Sequence, residues 1–457
     1  MSEAPRDGHG GDGDAALRAR VAALWRLESP VVIGAVRRLL RDLDEAEEIA
    51  QEALLAALEH WPREGFPDKP GAWLMTTARH RALDRLRQQR MQERHHEALA
   101  QDLEARQEHV VPDLSDSLDE RRADDIGDDL LRLIFTACHP LLSPEARAAL
   151  TLRLLGGLST AEIARAYLCP EPTVAQRISR AKRTLSEAQV PFELPGPAER
   201  LQRLGAVLEV VYLIFNEGYA ASSGTDWLRP DLMAEAQRLA RLLASQLPQE
   251  PEVQGLLALV EIQASRQAAR LDARGDPVLL MDQDRRRWDS LLIRRGLAAL
   301  AAGEAACHTQ GAAPGYYLLQ AGIAACHARA TRPEDTDWSL ILALYTRLLA
   351  GWPSPVVALN RAVALSRAPQ GSAAEALLLV DALGADGPMQ RYPWWHSVRG
   401  DLLERQQRWV EAAVAFEQAA ALSLNEKERA LLLQRALKGR SKDEEKGRGA
   451  QMPRPSE

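Results

Sequence analysis

LSTAEIARAYLCPEPTVAQRISRAKRTL, residues 158–185, reads as a helix, a tight turn and a second helix. Ser159 and Glu162 have the spacing of a capping box, in which the serine oxygen accepts an orphan N–H and the carboxylate reaches back to the cap. Cys169-Pro170-Glu171-Pro172 breaks the first helix, because proline has no N–H to donate and restricts the residue before it. Thr173 with Gln176 offers a second capping box. Val174, Ile178, Ala181 and Leu185 recur at helical spacing and predict one apolar face. Gln176, Arg177, Arg180 and Arg183 fall away from it. A short capped helix, a turn and a second helix with a basic outer face make the helix-turn-helix pattern, whose second helix enters a DNA major groove. An ordinary helical hairpin with a solvated charged face would satisfy the same spacing, so the rest of the chain has to decide.

The formal net charge of −7 over 457 residues argues at first against a nucleic-acid binder. The charge is segregated, however. Residues 79–94 carry six arginines against Asp84 and Glu93, a net of +4. Residues 130–190 carry eight Lys/Arg against four glutamates, again +4. Between them, residues 95–129 carry twelve acids against three arginines, a net of −9. Two basic blocks separated by an acidic connector predict two DNA contacts on one chain. Hydrophobic residues make up 46% and charged residues 26%, as in a globular protein. The four cysteines form no CxxC pair and no signal-like leader precedes them, which predicts a reducing, cytoplasmic setting. Apolar runs are too short for a membrane span, so no membrane partner is expected.

The chain is expected to be all-α. Residues 1–16 begin Gly/Asp-rich and predict disorder, and 17–94 predict a helical bundle. In that bundle Leu43-Asp44-Glu45 opens a helix ending at Trp61-Pro62, with acids suited to its positive N-terminus. A Pro/Gly-rich loop covers 62–70, and Gly71 to Gln89 is a second long helix. Residues 95–127 read as a linker and 128–190 as the helix-turn-helix domain. Residues 198–438 are Ala/Leu-rich stacked hairpins, and 439–457, charged and Pro/Gly-bearing, predict a disordered tail. Gly400, Leu403, Ala412, Phe416 and Ala419 match the small and large positions of a tetratricopeptide repeat. Shifted by 36, that frame gives Ala364, Arg367, Ala376, Val380 and Leu383.

Two segments resemble the extracytoplasmic-function group of RNA polymerase sigma factors. DLDEAEEIAQEALLAAL (42–58) with PGAWLMTTARHRALDRLRQQR (70–90) is similar to sigma region two, and the helix-turn-helix to region four. YLIFNEGY (212–219) and LNRAVAL (359–365) resemble the subgroup with a C-terminal tetratricopeptide-like extension. The resemblance implies a factor, not an enzyme, that binds core RNA polymerase through its clamp coiled coil and flap. Asp44, Glu48, Gln51 and Glu52 match the clamp-docking positions. Trp73, Thr76, Thr77, Arg79, His80, Arg81, Asp84 and Arg87 match the segment that binds and opens the downstream promoter element, capturing the melted non-template strand. Thr173, Gln176, Arg177, Arg180 and Arg183 would read the upstream element as double-stranded DNA. His80 stands where relatives often carry asparagine, which puts base preference there in doubt. The extension is expected to regulate, with a regulatory protein as a partner on its helices. Acidic segments of the chain are expected to fold onto the basic helices and mask them, and the −9 linker either mimics nucleic acid in polymerase or is a solvated tether.

Other chemistry is discounted. Cys138-His139, Cys307-His308 and Cys326-His327 tempt a metal reading, but neighbours on a helix point about 100° apart. No metal or cofactor is expected. Asn216-Glu217-Gly218-Tyr219 reads as a helix end with Gly218 as its C-cap, and residues 281–288 as a charged loop leading into a helix. The rivals are a helix-turn-helix regulator with a repeat sensor that never acts as sigma, and an enzyme built on the C-terminal helices.

Overall fold

The computed structural model describes residues 10–100, 123–167, 169–221, 225–385 and 387–450. Among them the chain is helical, with an isolated bridge between Leu271 and Pro277. It divides into two compact units at Val210/Val211.

The first unit holds α1 (Gly10–Leu40), α2 (Leu43–Glu64), α3 (Pro70–Ala100), α4 (Ala123–Ala137), α5 (Pro144–Leu154), α6 (Thr160–Tyr167), α7 (Glu171–Glu187) and the first part of α8 (Pro197–Tyr219). Asp42 caps α2 by accepting the Glu45 N–H at 2.9 Å. Leu43, Ala46, Ile49, Ala50, Ala53, Ala57 and Trp61 follow at three- and four-residue steps and are buried, the stripe that α1 and α3 cover. The helix runs past Pro62 to Glu64, since a proline in the last turn removes little of the ladder. α3 opens on Pro70, whose fixed φ suits a first helical position, and continues beyond Gln89 to Ala100. α1 starts at Gly10, inside the stretch expected to be disordered. The acidic linker at 101–122, the first nine residues and the end of the tail at 451–457 lie outside the described residues.

The helix-turn-helix is α6 and α7. The first capping box forms: the Ser159 N–H donates to Glu162 Oε2 at 2.7 Å, and the Glu162 N–H donates to Ser159 Oγ at 3.2 Å. Ser159→Ala is expected to cost about 1 kcal/mol, read as faster amide exchange confined to α6. The second box does not form. α7 begins three residues early, at Glu171, with Pro170 as a cap that makes no side-chain bond. Proline there pre-sets the backbone for the first turn, so Thr173 lies inside the helix rather than before it. Val174, Ile178, Ala181 and Leu185 are buried, as their spacing predicts.

The second unit begins inside α8. It continues through α9 (Pro230–Gln246), α10 (Pro251–Ala264), α11 (Ser290–Gln310), α12 (Tyr316–Arg329) and α13 (Trp338–Gly351). It ends with α14 (Pro355–Arg367), α15 (Ala373–Gly384), α16 (Pro393–Arg405), α17 (Trp409–Leu422) and α18 (Glu426–Ala450), the last helical through 439–450, where disorder was expected. α10 is its axis, buried on nearly every side, and even Glu261 is only 1% exposed, held by Arg241 at 2.5 Å. Glycines let α11 and α12 close on it. A Cβ at Gly255 would stand 2.5 Å from the Leu318 backbone nitrogen, and one at Gly296 2.5 Å from Ile262 Cγ1. Gly218 serves the same purpose. Helix α8 continues through it, and a Cβ there would meet the Met233 nitrogen at 2.5 Å; the glycine permits a close approach and is not the expected C-cap. Residues 281–288 form short 3-10 turns before α11, the charged loop read from the sequence.

The repeat frame is visible in two successive hairpins, α14–α15 and α16–α17. Leu403, Ala412, Phe416 and Ala419 are buried in one core with Ala376 and Val380. A Cβ at Gly400 would strike the Phe416 ring at 2.6 Å, which explains the small residue facing the large one. Asn425, 1% exposed, donates from its amide to the Ala221 and Asp226 carbonyls and ties the last hairpin to the start of the unit.

Candidate nucleic-acid interface

α7 has two faces. Its apolar stripe packs inward, while Thr173, Gln176, Arg180 and Arg183 are exposed and Arg177 is half-buried. Beside them runs a groove of about 520 Å³ between α7 and the start of α5, lined by Leu141, Ser143, Glu145, Thr173, Gln176 and Arg180 among others. Ser143 caps α5 through the Ala146 N–H at 3.3 Å. The Glu145 carboxyl is held below its ordinary range, chiefly by its own backbone N–H and by Ser143. Guanidiniums on an exposed helix face beside a groove can take phosphates and, bidentately, a guanine edge.

α3 also has two polar faces. Thr76, His80, Asp84 and Arg87 lie on one exposed stripe, with Thr77 and Arg79 half-buried beside it. Arg81 and Arg85 face α2 instead: Arg81 pairs with Glu52 and Arg85 with Glu48, each at 2.7 Å, and Gln89 donates to Glu45 at 2.8 Å. The acids proposed for docking and an arginine assigned to DNA thus meet each other within one helix pair. Trp73 is half-buried and packs edge-on against Trp61, ring centroids 5.4 Å apart. Gln51 donates to Glu47 at 2.8 Å, and Asp44 is bound by Lys182 at 2.6 Å.

Glu47 is the residue the sequence reading missed. It is 7% exposed and lies between Arg153 at 2.5 Å and Lys182 at 2.7 Å. Burial alone would raise its pKa; the two cations outweigh that and bring it below the ordinary carboxylate range. The signal was available, since 47 shares the buried stripe of α2 with 43, 46 and 50.

The cysteine–histidine pairs supply no ligand set. Among the described residues no three His, Cys, Asp or Glu side chains gather around a common point. Cys138 is a packed thiol, pushed up to about 11 by burial, with Thr151 Oγ1 at 3.3 Å. Among the described residues no helix is long and apolar enough to cross a membrane.

The comparisons with known proteins match both of these helical regions. Residues 24–91 match the Sigma-70 region 2 family and residues 132–185 the Sigma-70 region 4 family. Residues 203–304 match a family of unknown function (DUF6596). An uncharacterized protein of Rhizobium meliloti is 45% identical over 404 residues, 88% of this chain and 92% of its own. The ECF RNA polymerase sigma factor SigL of Mycobacterium tuberculosis is 32% identical over 174 residues, 37% of this chain and 89% of its own. Among solved structures, yeast Tom70 aligns over 95% of this chain and 86% of its own at 12% identity and a TM-score of 0.34, too low to bear on the fold. With region two on α1–α3, region four on α4–α7 and a relative matched over nearly its whole length, the chain belongs to the ECF RNA polymerase sigma factors, carrying a C-terminal helical extension.

Proposed function

We propose that this chain recruits core RNA polymerase to a promoter set and helps to open the DNA there. The acidic edge of α2, with Asp44, Glu48, Gln51 and Glu52, docks on the clamp coiled coil of polymerase. The exposed stripe of α3 contacts the downstream element and its melted non-template strand, with Thr76, Thr77, Arg79, His80 and Arg87 along it. α7 reads the upstream element through Thr173, Gln176, Arg177, Arg180 and Arg183. The observation that carries the reading is the exposure of Gln176, Arg180 and Arg183 on one side of a helix whose other side is fully buried. Phosphate contacts place such a helix and base edges give it sequence preference. Trp73, packed edge-on against Trp61, supports the downstream surface. The second unit is a regulatory module whose helices receive a partner protein.

Run-off transcription with purified core polymerase, on DNA upstream of this gene and its neighbours, tests the reading. Arg180→Ala is expected to lower promoter affinity by about tenfold to a hundredfold, the worth of one good base-edge contact. A start site that is used equally well by the wild type and the variant would remove α7 as the reader. DNA binding without any polymerase association would favour a plain helix-turn-helix regulator.

A further inference from the structure

Regions two and four meet inside the first unit, and the contact is ionic. The Lys182 ammonium of α7 lies between Asp44 at 2.6 Å and Glu47 at 2.7 Å on α2. Arg153 of α5 closes on the other side of Glu47 at 2.5 Å. Arg26 of α1 pairs with Glu162 of α6 at 2.8 Å, and Arg38 of α1 reaches Asp129 of α4 at 3.6 Å. Backbones approach as well. Gly157 has φ +62°, and a Cβ on it would stand 3.2 Å from Arg26 Cα.

The side chains of Lys182 and Glu47 are only 10% and 9% exposed, so both ions have left most of their water. Such a pair is held by geometry: losing one partner strands a buried charge, while losing both strands none. Asp44 differs. Its side chain is 71% exposed, and its Oδ1 accepts from Lys182.

We propose that Lys182 is a latch, which in the free chain occupies the Asp44–Glu47 end of α2 and which a cationic side chain of core polymerase must displace for the two regions to separate. The proposal rests on the docking role given to α2 above. Two observations favour it over a merely structural bridge. The latch residue belongs to α7, between Ala181 and Arg183, so the reading helix cannot leave α2 while the bond holds. The reading residues Thr173, Gln176, Arg180 and Arg183 stay exposed and Arg177 half-buried, so the closed arrangement leaves the reading face of α7 open. What it fixes is the separation of two surfaces that have to reach two different promoter elements at once. A ligand that binds only the open state pays for opening, and its apparent affinity falls by the open fraction.

The test uses the full chain with dyes on Met91→Cys and Glu187→Cys, both exposed positions, in a Cys169→Ser background. Energy transfer between α3 and α7 is read with and without core polymerase. The free wild type is expected to show high transfer that falls when polymerase is added. Lys182→Met is expected to show low transfer without polymerase and to bind polymerase about tenfold more tightly. The Glu47→Gln/Lys182→Met pair, which strands no charge on Lys182's partner, is expected to behave likewise and answers the question should the single variant not fold. Unchanged transfer and unchanged affinity in both variants, with wild type still binding polymerase, overturns the latch. A wild type that binds no polymerase at all overturns the docking role and the displacement with it, whereas a transfer change in the variants would then still mark the ionic closure.

Discussion

Replacing Glu48 and Glu52 together by glutamine is expected to reduce run-off transcription and core-polymerase affinity by roughly a hundredfold or more. Each carboxylate offers a charge-assisted hydrogen bond worth about 1.5–3 kcal/mol to a cationic partner, and two such losses give that factor. The fold should survive. In the free chain these acids pair with Arg85 and Arg81 on a surface where both partners of each bridge are at least one-third exposed. Exposed pairs of that kind contribute about 1 kcal/mol or less. The variant therefore separates docking from stability, and equilibrium titration against core polymerase, with amide exchange of α2 and α3 as the control, checks both. A folded double variant that binds polymerase as tightly as the wild type would remove α2 from the docking surface.

Gly255→Ala is expected to destabilise the second unit by about 3 kcal/mol, the upper part of the range for overpacking a close-packed site. The added methyl would stand 2.5 Å from the Leu318 nitrogen, 2.8 Å from its Cα and 2.9 Å from the Tyr317 carbonyl carbon. All three are backbone atoms, so no rotamer change relieves the clash. They also belong to the first turn of α12, whose Tyr317 and Leu318 N–H groups donate to Glu252 on α10 at 2.8 and 3.3 Å. Pushing α12 away would lengthen those bonds too. Gly205→Ala, in the part of α8 that belongs to the first unit, is the contrasting case: nothing lies inside 4 Å of its Cβ position. There, alanine should stabilise by about 0.5–1 kcal/mol, because glycine loses more freedom on folding. Denaturant unfolding of the full chain measures both, and a Gly255→Ala protein that unfolds with the wild type would contradict the packing described for α10.

What could be read from the sequence was periodicity and local chemistry. The buried stripe of α7, the Ser159–Glu162 cap and the Gly400–Phe416 pairing all follow from residues within a few turns of one another. The misread features depend on neighbours far along the chain. Gly218 looks like a helix terminator by type, and only the arrival of Met233 shows that it makes room for a backbone. Thr173 has the right spacing for a cap, but two prolines start the helix before it. Glu47 looks like one more acid in an acidic turn, and its burial depends on Arg153 and Lys182, over a hundred residues away. Arg81, assigned to DNA through the resemblance, also pairs with Glu52, a partner 29 residues back that spacing along α3 does not name. Helical spacing tells which residues share a face; it does not tell what that face will meet.

The two-faced character of α3 bears on how firmly the protein can grip a polyanion. Protein–DNA attraction of this type is driven largely by counterions that leave the phosphates, and the number released follows the cations that come to replace them. Arg81 and Arg85 already have carboxylates of their own molecule at 2.7 Å, so swapping these for phosphates gains little. Composition alone would credit the whole basic block to the nucleic acid. Helix register divides it: part of the block is internal ballast that holds α2 and α3 together, and on the proposed function the promoter complex is expected to be correspondingly less sensitive to ionic strength.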